Sequence, residues 1–317
     1  MLAKIAGLLD RAFFRSESLH PDVVLALALA GPVIDGLILF RLAAAELLLI
    51  ALAIGSVVHL LAAVLKLRLG TSPILLAVIG VALCGPLTAP LWPALIALGA
   101  AAVEPFRSRF WPGARINTGV LAYAVVFLAS HGATAAYQRP GSSLLFPEPI
   151  AQWSMFYGGS GHFVEPITLY VGNVAGPVFA TSLLAVAIGL AWLWYARRLS
   201  VVAAAAFLLA GVAISLGLRW DPVFQLDSGP AWFVIGFAIC DRGRLPEHDA
   251  ARPMLAVAAA VIGIGLRAAH LYVEALFIAV AAVEVVYAVS AAIAGFVAGR
   301  VRLSRSRPIA GTESPAV

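Results

Sequence analysis

Residues 42–65 read LAAAELLLIALAIGSVVHLLAAVL. One carboxylate, Glu46, and one histidine, His59, interrupt an otherwise apolar run. At a rise of about 1.5 Å per residue it is long enough to cross a hydrocarbon core of roughly 30 Å. Nothing in it alternates with the two-residue period of a barrel strand. The stretch reads as a transmembrane helix.

Working outward, long apolar segments recur at 23–40, 116–136, 170–195, 199–218 and 275–297, and shorter ones at 74–84, 90–103, 230–240 and 254–266. Of 317 residues, 62% are hydrophobic and 12% charged, against roughly 45–50% and 25% in a soluble domain. Polar groups are too few to cover a water-facing surface. The expected fold class is therefore all-α: a polytopic helical membrane protein of about ten transmembrane segments, some short or broken. The break CGPLTAPLWP at 84–93 carries Pro86, Pro90 and Pro93, each lacking a backbone donor. Irregular backbone at membrane depth survives only where protein surrounds it or it lines a cavity.

If all ten segments cross and both termini are cytoplasmic, 17 of the 21 Lys and Arg residues fall on the inner side, leaving Arg41, Arg139, Arg219 and Arg267 outside. That asymmetry is the positive-inside pattern. It places the basic residues at span ends and argues for a bilayer, not nucleic acid, as the partner. The expected organisation is an amphipathic surface helix at 1–20, one transmembrane domain at 21–299 and a polar cytoplasmic tail at 300–317. Leu2, Ile5, Leu8, Leu9 and Phe13 share the lipid face of the surface helix. An external loop spans about 137–169, with Trp153, Phe156, Tyr157 and Phe163 as headgroup anchors. No internal repeat stands out.

The order of features resembles a known family. LGTSPILLAVIGVALCGP opens a short helix with Ser72–Pro73, LWPALIALGAAAVEPFRSRF follows, and WPGARINTGVLAY then carries Ile116 and Asn117. QLDSGPAWFVIGFAICDRGRLP ends a second short helix at Asp241. Across roughly 20–297 this is similar to the NqrB/RnfD family, the membrane proteins shared by the sodium-pumping NADH:quinone oxidoreductase and the Rnf electron transport complex. Thr118 and Arg242 stand where that family has prolines. The resemblance implies a multi-pass subunit of a bacterial inner membrane, serving electron transfer possibly coupled to ion translocation beside other redox subunits. As an enzyme it would be at most a non-autonomous subunit. The alternative is a small-molecule transporter or a membrane scaffold in a secondary-metabolite pathway such as enediyne biosynthesis, where short members of this family occur.

The family also implies FMN, held through a phosphoester on a threonine, or riboflavin. Here HGAT at 131–134 supplies Thr134, but His131 replaces the usual hydroxyl residue, and the chain looks more like relatives without flavin. Cys84 and Cys240 read as buried structural thiols, too few for a cluster. No metal-ligand spacing, dinucleotide fingerprint or nucleophile elbow appears, and GGSGH at 158–162 fits none of them.

Ionisable residues inside a span cost at least about 2.5–3.5 kcal/mol and so mark candidate sites. Glu284, about ten residues into the last span, is the most embedded carboxylate. Asn117 is expected to cap the helix that follows it, its start pointing into any ion pathway. His59 faces a neighbouring helix. Arg267, His270 and Glu274 fall on one face if the helix continues through them, or else mark an outer turn between spans. Asp35 and Glu46 are expected near the outer interface.

Overall fold

A computed structural model describes residues 19–111, 113–114, 116–157, 166–227, 229–242 and 251–305. Most of the expected surface helix, Phe163, the 158–162 loop and the tail beyond 305 lie outside the described residues. Among those described no strand forms, and only isolated bridges join Gln138 to Leu145 and Leu199 to Asp241.

The elements are α1 (Pro21–Val64), α2 (Pro73–Val81), α3 (Leu91–Phe110), α4 (Thr118–Ala129), α5 (Pro149–Tyr157), α6 (Pro166–Tyr170), α7 (Leu183–Tyr195), α8 (Val201–Gly217), α9 (Pro222–Leu226), α10 (Gly229–Val234) with a π-helical extension over Ile235–Ile239, α11 (Ala251–Ala268) and α12 (Glu274–Arg305). Pro21–Val64, Ala251–Ala268 and Glu274–Ala294 are long and apolar enough to cross a membrane. Thr118–Ala129, Leu183–Tyr195, Val201–Gly217 and Gly229–Ile239 are apolar but shorter. The exposed face of α1 carries Ile38, Leu42, Leu60 and Val64, each more than half exposed. Water would penalise that concentration of apolar surface.

The two expected spans at 23–40 and 42–65 form one element, broken at Arg41, whose φ of 50° and ψ of −117° are not helical. Two other long segments are not single helices. In 116–136 the helix stops at Ala129, and positive-φ His131 and Gly132 turn the chain. In 170–195 only Leu183–Tyr195 is helical, while Val174–Ser182 runs irregularly and buried before it. The reason lies in the break after α2. Gly85 N–H donates to Thr134 O at 2.9 Å, Leu87 N–H to Ala136 O at 3.1 Å, Val178 N–H to Cys84 O at 2.8 Å and Phe179 N–H to Ala82 O at 3.2 Å. Three irregular stretches thus supply one another's backbone partners in the core, which is how non-helical backbone avoids the cost of unpaired polar groups.

The element order of the two halves runs in parallel, and the two short helices share a phrase. α1 with α2, α3 and α4 is matched in element order by α7 and α8 with α10, α11 and α12. The two short helices carry Val78–Cys84, VIGVALC, and Val234–Cys240, VIGFAIC, sharing Val, Ile, Gly, Ala and Cys in the same places. Both phrases are buried throughout, Cys84 and Cys240 included. α2 begins with proline in its first turn, where the missing N–H costs nothing, and the second short helix has Pro230 near its start.

Candidate functional site

The two halves meet along α1 and α7 and along α4 and α12, and two clusters of buried polar residues lie at the two ends of the α4–α12 seam. At one end Asn117 precedes α4. Its Oδ1 accepts from Gly119 N–H at 3.1 Å and Val120 N–H at 3.3 Å, the N-cap expected from sequence. Its Nδ2 donates to Phe237 O, in the π-helical turn, at 3.1 Å. Its backbone N–H donates to Glu284 Oε2 at 2.7 Å. Asn117 is fully buried and Glu284 5% exposed, so the carboxylate sits at the positive end of a helix dipole. A protein-lined position is what an embedded carboxylate requires. The structure thus joins two expected residues and adds one carbonyl.

At the other end lie Tyr123, Thr134, Tyr137, Glu148, Gln225, Arg267 and Glu274. The Tyr137 hydroxyl donates to Glu274 Oε1 at 2.8 Å. Arg267 Nη1 donates to both Gln225 O and Gln225 Oε1 at 2.8 Å, while its Nε and Nη2 are buried without partners. Glu148 caps α5, accepting from Ile150 N–H at 2.7 Å and Ala151 N–H at 2.8 Å. Burial and then the charge of Glu274 push the Glu148 carboxyl up to about 8. Both carboxylates lie within electrostatic reach of the Arg267 guanidinium. Tyr123 is fully buried and stacks edge-on against Phe277 of α12, with ring centroids 5.4 Å apart.

Arg267, His270 and Glu274 do not share a helical face. α11 ends at Ala268 and α12 starts at Glu274, with His270 at φ 63° in the turn between. Arg267 and Glu274 still converge, because the turn folds back beside Tyr137, whereas His270 is exposed. A second correction concerns Trp153. It is 4% exposed and packs on Trp220 and Phe224, so it anchors the loop helix to the protein and not to headgroups.

Thr134 is fully buried, and its hydroxyl has no hydrogen-bond partner. Its carbonyl receives Gly85 N–H and the Thr88 hydroxyl. This close-packed setting does not fit a flavin phosphoester, since the threonine oxygen has no open space to carry one. Asp241 is fully buried and holds Arg198 in a two-point ion pair, Nε to Oδ1 at 3.0 Å and Nη2 to Oδ2 at 2.7 Å, with Arg198 also donating to Pro21 O. This is a clamp between α7, the π-helical end and the start of α1. His59 is half-buried on α1 with Nδ1 unpaired. Asp35 lies against Ser182 at the start of α7.

Sequence reasoning missed Tyr123, Tyr137, Glu148, Gln225 and Glu104. Glu104 is 1% exposed, pairs with Arg107 at 2.6 Å and accepts from Gly70 and Thr71 N–H at 3.2 Å, closing the turn before α2. Glu148 left a readable signal: an acidic residue followed by Pro149 is a helix start. Among the described residues no group of His, Cys, Asp and Glu is arranged to hold a metal ion. No family model matches the chain, and no curated protein matches it.

Proposed function

We propose that the protein is an integral membrane subunit that moves a monovalent cation, the proton being the simplest, along the seam between α4 and α12. The observation that carries this reading is the pair of buried carboxylates on α12. Glu274 is 6% and Glu284 5% exposed, and ten residues of helix separate them by about 15 Å. Each is held by a group that moves with α4 or the segment after it: Glu284 by Asn117 N–H and Glu274 by the Tyr137 hydroxyl. A side chain that costs kilocalories to bury in a span is retained for a pathway, and broken helices meeting beside it are the usual companions of ion sites.

The same reading takes all ten segments as crossings with both termini inside, as the distribution of basic residues favours. Five crossings per half then set the two halves in opposite orientations. The sequence resemblance supports a place beside redox subunits, as in the sodium-pumping oxidoreductase and Rnf complexes, which would supply the driving reaction. The chain's own part is to bind and pass the cation.

The test is flux in proteoliposomes under an imposed potential, read with an internal pH dye and with radioactive sodium. Wild-type protein is expected to conduct above protein-free vesicles, and Glu284→Gln to reduce the rate at least tenfold while preserving the melting temperature. No flux of either ion, or flux unchanged by Glu284→Gln and Glu274→Gln, contradicts the reading.

A further inference from the structure

A cleft of about 380 Å³ opens beside the Glu274 end of the seam, lined among others by Tyr137, Phe146, Glu148, His270, Tyr272 and Glu274. Its size lies in the range of small-molecule sites. Two features set its chemistry. The first is charge. Glu148 and Glu274, both at least nine-tenths buried, line the cleft, and among the described residues Arg267 behind them is the single buried guanidinium within reach. Arg267 is committed through Nη1 to Gln225 and makes no hydrogen bond to either carboxylate. Two acids face one buried guanidinium, with Glu148 holding a proton below about pH 8 and Arg139 on the rim, so a cation bound between the acids takes the place of that proton.

The second feature is the wall. Phe146, Tyr137, Tyr272 and His270 bring ring surface to the cleft. The chain already places a cation on one of these rings: the guanidinium of Arg139, an exposed residue, lies 3.8 Å from the Phe146 ring centroid. Aromatic faces beside carboxylates are the combination that recognises ammonium groups, by cation–π attraction and by charge.

We infer that this cleft binds a small organic cation, an amine or quaternary ammonium group, between the Glu148 and Glu274 carboxylates and the Tyr137, Phe146 and Tyr272 rings. The site stands on its own geometry and does not depend on conduction along the seam. Binding and flux are measured separately, so failure of one is distinguishable from failure of the other.

The experiment is titration of the full-length protein in phosphatidylglycerol nanodiscs with tetramethylammonium and choline, followed by calorimetry and by the fluorescence of Trp153 and Trp220. The neutral isostere 3,3-dimethylbutanol serves as control. The ammonium probes are expected to bind at least tenfold more tightly than the alcohol. Glu274→Gln and Glu148→Gln are each expected to weaken them at least tenfold, and Phe146→Leu severalfold. Arg139→Ala, a surface change that frees the ring, is expected to strengthen them. Repeating the titration in phosphatidylcholine nanodiscs identifies the source: competition by that lipid assigns the site to a headgroup, and unchanged affinity assigns it to a soluble amine, both retaining the cation site. Equal binding of the alcohol, no binding of either ammonium probe, or full affinity in a folded Glu274→Gln variant overturns the inference.

Discussion

The two copies of the VIGxA(L/I)C phrase end differently. In α2 the backbone tightens: Cys84 N–H reaches back three residues to Val81 O at 3.0 Å. In the second copy it loosens, and Cys240 N–H reaches back five residues to Ile235 O at 2.8 Å, a π turn. Nearly identical local sequence therefore does not decide the ending. The neighbours do. Around Cys84, Val178 and Phe179 N–H take the free Cys84 and Ala82 carbonyls, while the Thr134 and Ala136 carbonyls accept from Gly85 and Leu87 N–H. Around Cys240, Ser200 N–H takes the Cys240 carbonyl, and the widened turn presents Phe237 O to Asn117. The lesson is that a repeated half-helix serves as a compact plug in one half and as a hydrogen-bonding surface for the seam in the other.

Alanine at the equivalent glycines sharpens this contrast most. A Cβ at Gly80 would stand 2.9 Å from the Gly119 carbonyl oxygen and 2.8 Å from Ile96 Cγ2, and the backbone contact cannot yield. Gly80→Ala is expected to cost about 3 kcal/mol, the upper end for overpacking. At Gly236 the nearest atom, 2.1 Å away, is the tip of the Leu190 side chain, which can turn aside. Gly236→Ala is expected to cost about 1 kcal/mol. Thermal unfolding in detergent measures both, and equal losses would mean that the two half-helices are packed alike.

Asn117 links the second copy to the first half. Asn117→Ala removes both the cap of α4 and the bond to Phe237, and is expected to cost about 2 kcal/mol. Asn117→Ser keeps a capping oxygen but cannot reach Phe237, so roughly half the loss should return. If serine does no better than alanine, the cap contributes little and the π-turn contact carries the stability.

At pH 5 the smallest substitution effect is expected at the other end of the seam. With its carboxyl raised from the ordinary 4.5 to about 8, Glu148 holds a proton in the folded protein that the unfolded chain releases. Between those values the folded state binds more protons, so stability falls as pH rises and levels off above about 8. Glu148→Gln should remove that slope and shift the melting temperature by a few degrees at most at pH 5. A slope that persists in the variant would place its origin in another group.

Much of this was legible in the sequence. Hydrophobic run length gave the helices, and the identity of Asn117 gave the cap, because both depend on local chemistry. Glu284 was recognisable because nothing near it in the chain offsets its charge. The breaks inside 116–136 and 170–195 were not legible, since hydropathy does not distinguish an apolar helix from apolar irregular backbone buried in protein. The outer cluster was hidden for a different reason. Tyr137, Glu148 and Gln225 lie in three separate connecting segments, and only the fold brings them to Arg267 and Glu274. The likeness of VIGVALC and VIGFAIC stood in the letters, but seven residues in a chain rich in Ala, Val and Leu are easily passed over.

In the proposed topology the two halves cross the membrane in opposite senses, with the Asn117–Glu284 end inside and the Tyr137–Glu274 end outside. Single cysteines at Arg109, Arg197, Ser143 and Arg219, in a background with Cys84 and Cys240 replaced by alanine, test it through labelling of intact cells with a membrane-impermeant maleimide. Positions 143 and 219 are predicted to label from outside, and 109 and 197 only after permeabilisation. Labelling of 109 and 143 from the same side would contradict it.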